Sequence, residues 1–226
     1  MNFDFESFWE MLPIVLSGFK TTLLLSIIAL FFSILLGFVL AASRNYNIPV
    51  LKQCSVVYTS FFRSTPFVAQ LFVFYYGFAQ MSEFVRNMTG FWAVTMVLSL
   101  NFAAYMGENI RASITSVDKG QYEAGRAIGL TAWQAMYRIV LPQAARVAVP
   151  TMGNTFANLF KSTSLAFTVG VMDMMAYAKN QVQITYRYME GYVIVLIVYW
   201  IILSIVTWGQ SVIEKKMSKP YVQEAK

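Results

Sequence analysis

DKGQYEAGRAIGLTAWQAMYRIVLP, from Asp118 to Pro142, is polar and basic and lies between long apolar segments. Its punctuation predicts two short helices. Asp118 is placed as N-cap of the first, with Gln121 three residues on in capping-box position. Gly129 stands where a helix closes in a left-handed residue, and apolar Leu130 follows it. Thr131 opens the second helix, with Gln134 three residues later. Pro142 disfavours helix at Leu141 and marks the limit. Such a helix–glycine–helix elbow on a membrane surface suits the docking of another protein; an ordinary pair of interfacial helices is the plainer reading.

The flanking chain is built for lipid. Of its 226 residues 58% are hydrophobic and 12% charged, which points to a polytopic, all-α membrane protein of one domain. About five spans are expected: 18–42, 55–79, 91–110, from Pro142 to about 171, and 192–212. Residues 1–17 form an extracytoplasmic or interfacial segment, in which Phe3 to Leu12 is amphipathic and Trp9 an anchor. Residues 18–213 form the transmembrane domain with the loop 116–142, and 214–226 a cytoplasmic tail. Ser43 to Pro49 reads as a turn, and Pro150 with Gly153 as an irregular start to span four.

Charge sets the orientation. The loop after span one, the elbow and the tail share one side, with Arg44, Lys52, Arg111, Lys119, Arg126, Arg138, Arg146, Lys215, Lys216, Lys219 and Lys226. The other side has only Lys20, Arg86, Lys179 and Arg187. The positive-inside rule therefore places the elbow and C-terminus in the cytoplasm and the N-terminus outside. Lys215, Lys216 and Lys219 serve this topology or bind acidic lipid; a net charge of +6 needs no nucleic acid to explain it. The acidic, aromatic start (Asp4, Glu6, Glu10) is unlike a cleaved signal peptide. One cysteine, Cys54, and no histidine exclude an intrachain disulfide, a thiolate cluster, a histidine metal site and a histidine base. The thirteen methionines form no close-spaced motif and read as packing.

Several polar groups fall inside the spans. Pro66 is expected to kink span two. Arg63 before it either snorkels at the boundary or makes a structural contact to the loops. Glu108 and Arg111, one turn apart, are close enough to pair; pairing is favoured over substrate contact. Asn101 lies deeper, and lining a pathway or bonding between helices are both open. Asn154, Asn158, Lys161 and Ser162 recur at helical spacing on one face, flanked by Thr155 and Thr163. That stripe either lines a path or forms a polar seam between two copies.

Four segments then carry a resemblance. Glu123-Ala124-Gly125, three residues, Gly129, nine residues and Ile139-Val140-Leu141-Pro142 resembles the EAA loop of ABC importer permeases. Gly125 replaces the usual second alanine, which is expected to loosen the first helix by up to roughly 1 kcal/mol. FFRSTPFVAQL, Phe61 to Leu71, resembles the F-R-G-T-P-x-x-x-Q-L segment of polar amino acid permeases, with Ser64 for glycine. Ala104-Tyr105, Glu108 and Arg111 match A-Y-x-x-E-x-x-R. Lys161 to Leu165 resembles K-D-T-S-L, with Ser162 for the acid, which leaves Lys161 without an obvious counter-charge.

The resemblance implies a type I ABC importer permease fold in a bacterial plasma membrane, and a permease subunit for polar amino acids. Ser116–Ala124 and Leu141–Pro150 look most like cystine permeases. It implies alternating access by two permease subunits, identical or sister chains, fed by an extracellular or periplasmic amino-acid-binding protein. A cytoplasmic ABC ATPase dimer would drive them, with Glu123, Ala124, Gly125, Gly129, Ile139, Leu141 and Pro142 as coupling lever. No G-x-x-x-x-G-K-[ST] occurs, so ATP and magnesium are expected in the ATPase and no cofactor in this chain. The chain then has no catalytic residues. A gradient-driven secondary amino acid transporter is the alternative, and a membrane enzyme the third class, with Glu108 and Lys161 its only deep titratable candidates.

Overall fold

A computed structural model describes residues 3–46 and 48–222, the last five (218–222) in backbone only. Met1, Asn2, Asn47 of the expected turn, the side chain of Lys219 and residues 223–226, including Lys226, lie outside the described residues. Every regular element among those described is helical.

α1 (Phe5–Leu16) is capped by Asp4, whose carboxylate accepts from the Glu6 and Ser7 amides. α2 (Phe19–Asn45) is the first long apolar helix. α3 (Pro49–Ser64) opens with a proline in its first turn and ends at Thr65 and Pro66, both extended. α4 (Phe67–Phe72) passes through a π-helical stretch, Val73–Phe78, into α5 (Ala79–Met81), and α6 (Glu83–Arg86) follows. Span two is therefore broken at Thr65–Pro66 rather than kinked. A residue before proline is pushed out of the helical region, and Thr65 follows that rule.

α7 (Gly90–Thr115) is the second long apolar helix. α8 (Lys119–Ala127) and α9 (Ala132–Ala135) form the elbow. Pro142 does not end the second helix, contrary to the sequence expectation. α9 widens into a π-helical stretch, Met136–Val140, and continues as α10 (Leu141–Ser162). The Leu141 amide donates to the Met136 carbonyl five residues back, and the wider turn makes room for the Pro142 ring. Pro150 and Gly153 likewise sit inside an unbroken helix, not an irregular start. A 3₁₀ stretch, Thr163–Val169, ends α10 at left-handed Gly170.

α11 (Met174–Thr185), capped by Asp173, occupies what the sequence reading took as an outer loop. α12 (Tyr188–Val222) runs unbroken past residue 213 into the tail. α1 is more than an interfacial segment: Met11 and Val15 are buried in a cluster with Met174, Ala178 and Ile194. Its start is tied down by the Asp4 amide donating to Glu190 Oε1 (2.8 Å) and by Arg187–Asp4 at 3.1 Å.

α2 and α7 form the central seam. Ala29, Ser33, Gly37 and Ala41 repeat every four residues on α2, as do Thr95, Ser99, Ala103 and Gly107 on α7, and all are buried. Small residues at this spacing let two backbones approach closely in lipid. A Cβ on Gly37 would lie 2.8 Å from Met106 Cβ and 2.9 Å from the Gly107 amide nitrogen, so the approach requires glycine there.

Candidate functional site

The elbow is held by local turn chemistry. Asp118 Oδ1 accepts from the Gly120 amide at 2.7 Å. The expected reciprocal arm from Gln121 is not formed; its side chain faces Gln143 at 3.5 Å. At the bend Gly129 has φ +90°, the Leu130 amide donates to the Gly125 carbonyl and the Gly129 amide to that of Arg126, both at 3.1 Å. This is the paired closure that satisfies the last carbonyls of a helix. Thr131 and Gln134 form the full capping box, at 3.2 and 2.9 Å.

At Gly125 the first helix of the elbow meets the second. This glycine is buried, and a Cβ there would lie 2.5 Å from Ile139 Cδ1. The two ends of the motif pack on each other at this point. The opposite side is open. Glu123, Ala124 and Pro142 are exposed, Leu141 and Ile139 half-buried, and Ile128 is 79% exposed. Trp133 (66%) and Tyr137 (63%) stack there at 6.3 Å and 15°. Sequence reading missed this apolar face, although an aromatic pair four apart on a polar helix was its signal.

The second group lies on α10. Asn154, Asn158 and Lys161 share one exposed face, and Ser162 is half-buried with its hydroxyl donating to the Asn158 carbonyl at 2.9 Å. Thr163 does not join them. It is fully buried, with its hydroxyl on the Phe160 carbonyl at 2.7 Å. Thr155 is also buried, taking a 2.7 Å bond from Asn109 of α7. Gly153 lets α12 come close: Gln210 reaches the Pro150 carbonyl at 3.0 Å and occupies the space a Cβ would take.

Asn101 is only 4% exposed and serves as a bond between helices. Its amide donates to the Phe62 carbonyl (3.1 Å) and to Gln70 Oε1 (2.9 Å). Gln70 in turn donates to Thr65 Oγ1 (2.7 Å) and to the Phe62 and Thr65 carbonyls (both 3.2 Å). Together they satisfy the backbone freed by the break at Pro66. Gln70 is the glutamine of the Phe61–Leu71 resemblance, to which the sequence assigned no role. Glu108 pairs with Arg111 and, across the seam, with Arg44 at 2.6 Å, so it ties α7 to α2. Arg63 lies 5.5 Å over the Tyr105 ring, a contact within the bundle and not to the loops. One concavity, of about 970 Å³, is apolar. Phe32, Leu36, Trp92 and Met96 of α2 and α7 line it, with no residue of the elbow or of α10, so it is not the polar site.

Residues 33–219 match the family described as "Binding-protein-dependent transport system inner membrane component". The chain belongs to this family. This permease is 44% identical to the probable amino-acid ABC transporter permease protein PatM of Vibrio harveyi, over 99% of this chain and 100% of that one. It is 39% identical to the L-cystine transport system permease protein TcyL of Bacillus subtilis (strain 168), over 96% and 92%. A chain in a crystal structure of an amino acid ABC transporter with histidines superposes on the permease with a TM-score of 0.88. The two are 32% identical, over 96% of this chain and 100% of that one. The inward-facing MetNI methionine ABC transporter shares the fold, with a TM-score of 0.78 at 19% identity, over 93% and 99%. The permease therefore has the type I importer fold.

Proposed function

We propose that this permease is the membrane subunit of an ATP-driven, binding-protein-dependent importer of polar amino acids, with L-cystine as its cargo. One observation carries the reading. The elbow is continuous through Met136–Val140 with α10, the helix that presents Asn154, Asn158 and Lys161. Motion imposed at the elbow is thus delivered to the polar face along a single hydrogen-bonded rod.

In this reading Glu123, Ala124, Ile128, Trp133 and Tyr137 meet the cytoplasmic ATPase dimer, and Gly129 holds the bend. ATP and magnesium belong to that partner. A second permease subunit, the same chain or a sister, completes the path, and a binding protein delivers cargo from outside. The N-terminus is external and the C-terminus cytoplasmic. Cystine is supported by the likeness of Ser116–Ala124 and Leu141–Pro150 to cystine permeases and by the relatives TcyL and TcyB, at 39% and 37% identity.

The test is co-purification and uptake. The tagged permease is expected to bring an ATPase subunit with it in mild detergent, and Glu123→Arg to lose that subunit. Vesicles holding the complex should take up labelled cystine only with ATP, and unlabelled cystine should compete best. Uptake by the chain alone, driven by an ion gradient, would instead establish a secondary carrier.

A further inference from the structure

We propose that Asn109 is a positioning residue for the coupling: its amide braces α7 against α10, so that the two helices joined by the elbow move as one body. The inference rests on the importer reading and deepens it, by naming what keeps a push at the elbow from being absorbed between its two arms. α7 ends at Thr115, α10 begins at Leu141, and the elbow hangs between them. Two arms joined at one end only can splay, and a displacement applied at the join is then taken up by a change of their angle. A tie across the arms removes that freedom.

Asn109 supplies the tie. It stands six residues before the end of α7, roughly 9 Å along the axis, and its partners Thr151 and Thr155 stand ten and fourteen residues into α10, roughly 15 and 21 Å. Asn109 Nδ2 donates to Thr155 Oγ1 at 2.7 Å and to the Thr151 carbonyl at 3.3 Å. The Thr155 hydroxyl donates to that same carbonyl at 3.0 Å, so its proton is engaged and its oxygen meets Asn109 as an acceptor. Thr155 is buried, which keeps water from replacing the amide. Glu108, the residue before, projects about 100° around the helix and holds Arg44 of α2 at 2.6 Å. Two consecutive side chains thus fasten one level of α7 to both neighbours. At the elbow the figure is closed by Gly125, which leaves no room for a Cβ beside Ile139 Cδ1. α7, the elbow and α10 then form a triangle that can tilt but cannot splay without breaking the Asn109 bonds.

The test uses the purified permease–ATPase complex in vesicles with its binding protein and a mixture of labelled cystine, glutamine, glutamate and arginine. It reads the amino acid taken up per ATP hydrolysed. Asn109→Leu and Thr155→Val should each lower that ratio about three- to tenfold, the range that loss of one hydrogen bond allows, while the ATPase stays bound and active. The double variant should be no worse than either single one, since the same bond is lost in all three. Thr155→Ser, which keeps the oxygen, should hold the parent ratio. Thr155→Val, nearly isosteric, carries the test if Asn109→Leu does not assemble. An unchanged ratio, whether uptake is normal or falls in step with hydrolysis, would make Asn109 a stabilising contact only and overturn the inference, as would additive losses in the double variant. ATP-dependent uptake by the parent keeps the importer reading intact in either case. A permease that brings no ATPase and takes up amino acids only on an ion gradient removes both.

Discussion

Two spans of this permease contain prolines and treat them in opposite ways. At Pro66 the helix stops: Thr65 is extended (φ −110°, ψ 145°), and α3 and α4 are separate pieces. At Pro142 it does not: Leu141 stays helical (φ −60°, ψ −41°), and the elbow joins α10. The difference lies in where the orphaned backbone groups go. At Pro66 the side chains of Gln70 and Asn101 satisfy them, which makes a break tolerable at depth. At Pro142 a change of helical pitch keeps the backbone bonded to itself. One span is thereby articulated and held by side chains, and the other is one continuous helical rod.

The contrast can be broken most severely at the bend. Gly129→Pro requires φ near −65° where the chain has +90° and removes the amide that bonds Arg126. ATP-dependent uptake should be abolished while membrane insertion, checked by protease accessibility, stays normal. Normal uptake at normal expression would show that the elbow transmits nothing.

Asn101→Leu probes the articulated span. It removes the donor to Gln70 Oε1 and leaves the Phe62 carbonyl only its longer bond from Gln70, and thermal unfolding in detergent should show a loss of about 1–3 kcal/mol. A smaller pH effect is expected just beyond the far end of α10. Asp173 Oδ1 caps α11 at 2.8 Å, while Oδ2 is buried without a protein partner. Burial pushes this carboxyl up to about 7 from the usual 3.8. Between these values the folded state holds a proton that the unfolded state releases, so stability should fall as pH rises from about 4 to about 7 and then level off. Asp173→Asn should flatten that part of the profile. The smallest effect belongs to Pro150→Ala. The helix is already continuous there and the Pro150 carbonyl keeps its bond from Gln210, so stability should rise by about 1 kcal/mol or less. Loss of uptake in this variant would mean that Pro150 is itself a working joint.

What was legible in the sequence was short-range. The bend at Gly129 and the Thr131–Gln134 box involve residues within a turn of each other, and turn chemistry specifies both. The pairing of Glu108 with Arg111 was readable for the same reason, but its second partner, Arg44, is 64 residues away. The Asn101–Gln70 bond spans 31 residues and leaves no local trace. Pro142 misled because the rule for the residue before proline assumes ordinary helical pitch. Thr163 misled by adjacency: two residues on from Lys161 is about 200° around a helix, so it points to the other side. The packing of Gly125 against Ile139 was not readable, because the two residues meet only once the elbow is folded.

The unbroken length of α10 has a mechanical corollary. A rod of roughly 30 Å that tilts by about 10° around its midpoint moves each end by roughly 3 Å in opposite directions. That stroke is about one hydrogen-bond length. A displacement at the elbow end too small to reshape the bundle is therefore enough to make or sever one contact at the other end of α10. The gearing is close to one to one, so on the proposed coupling the fidelity of the stroke depends on how firmly the bend at Gly129 resists flexing.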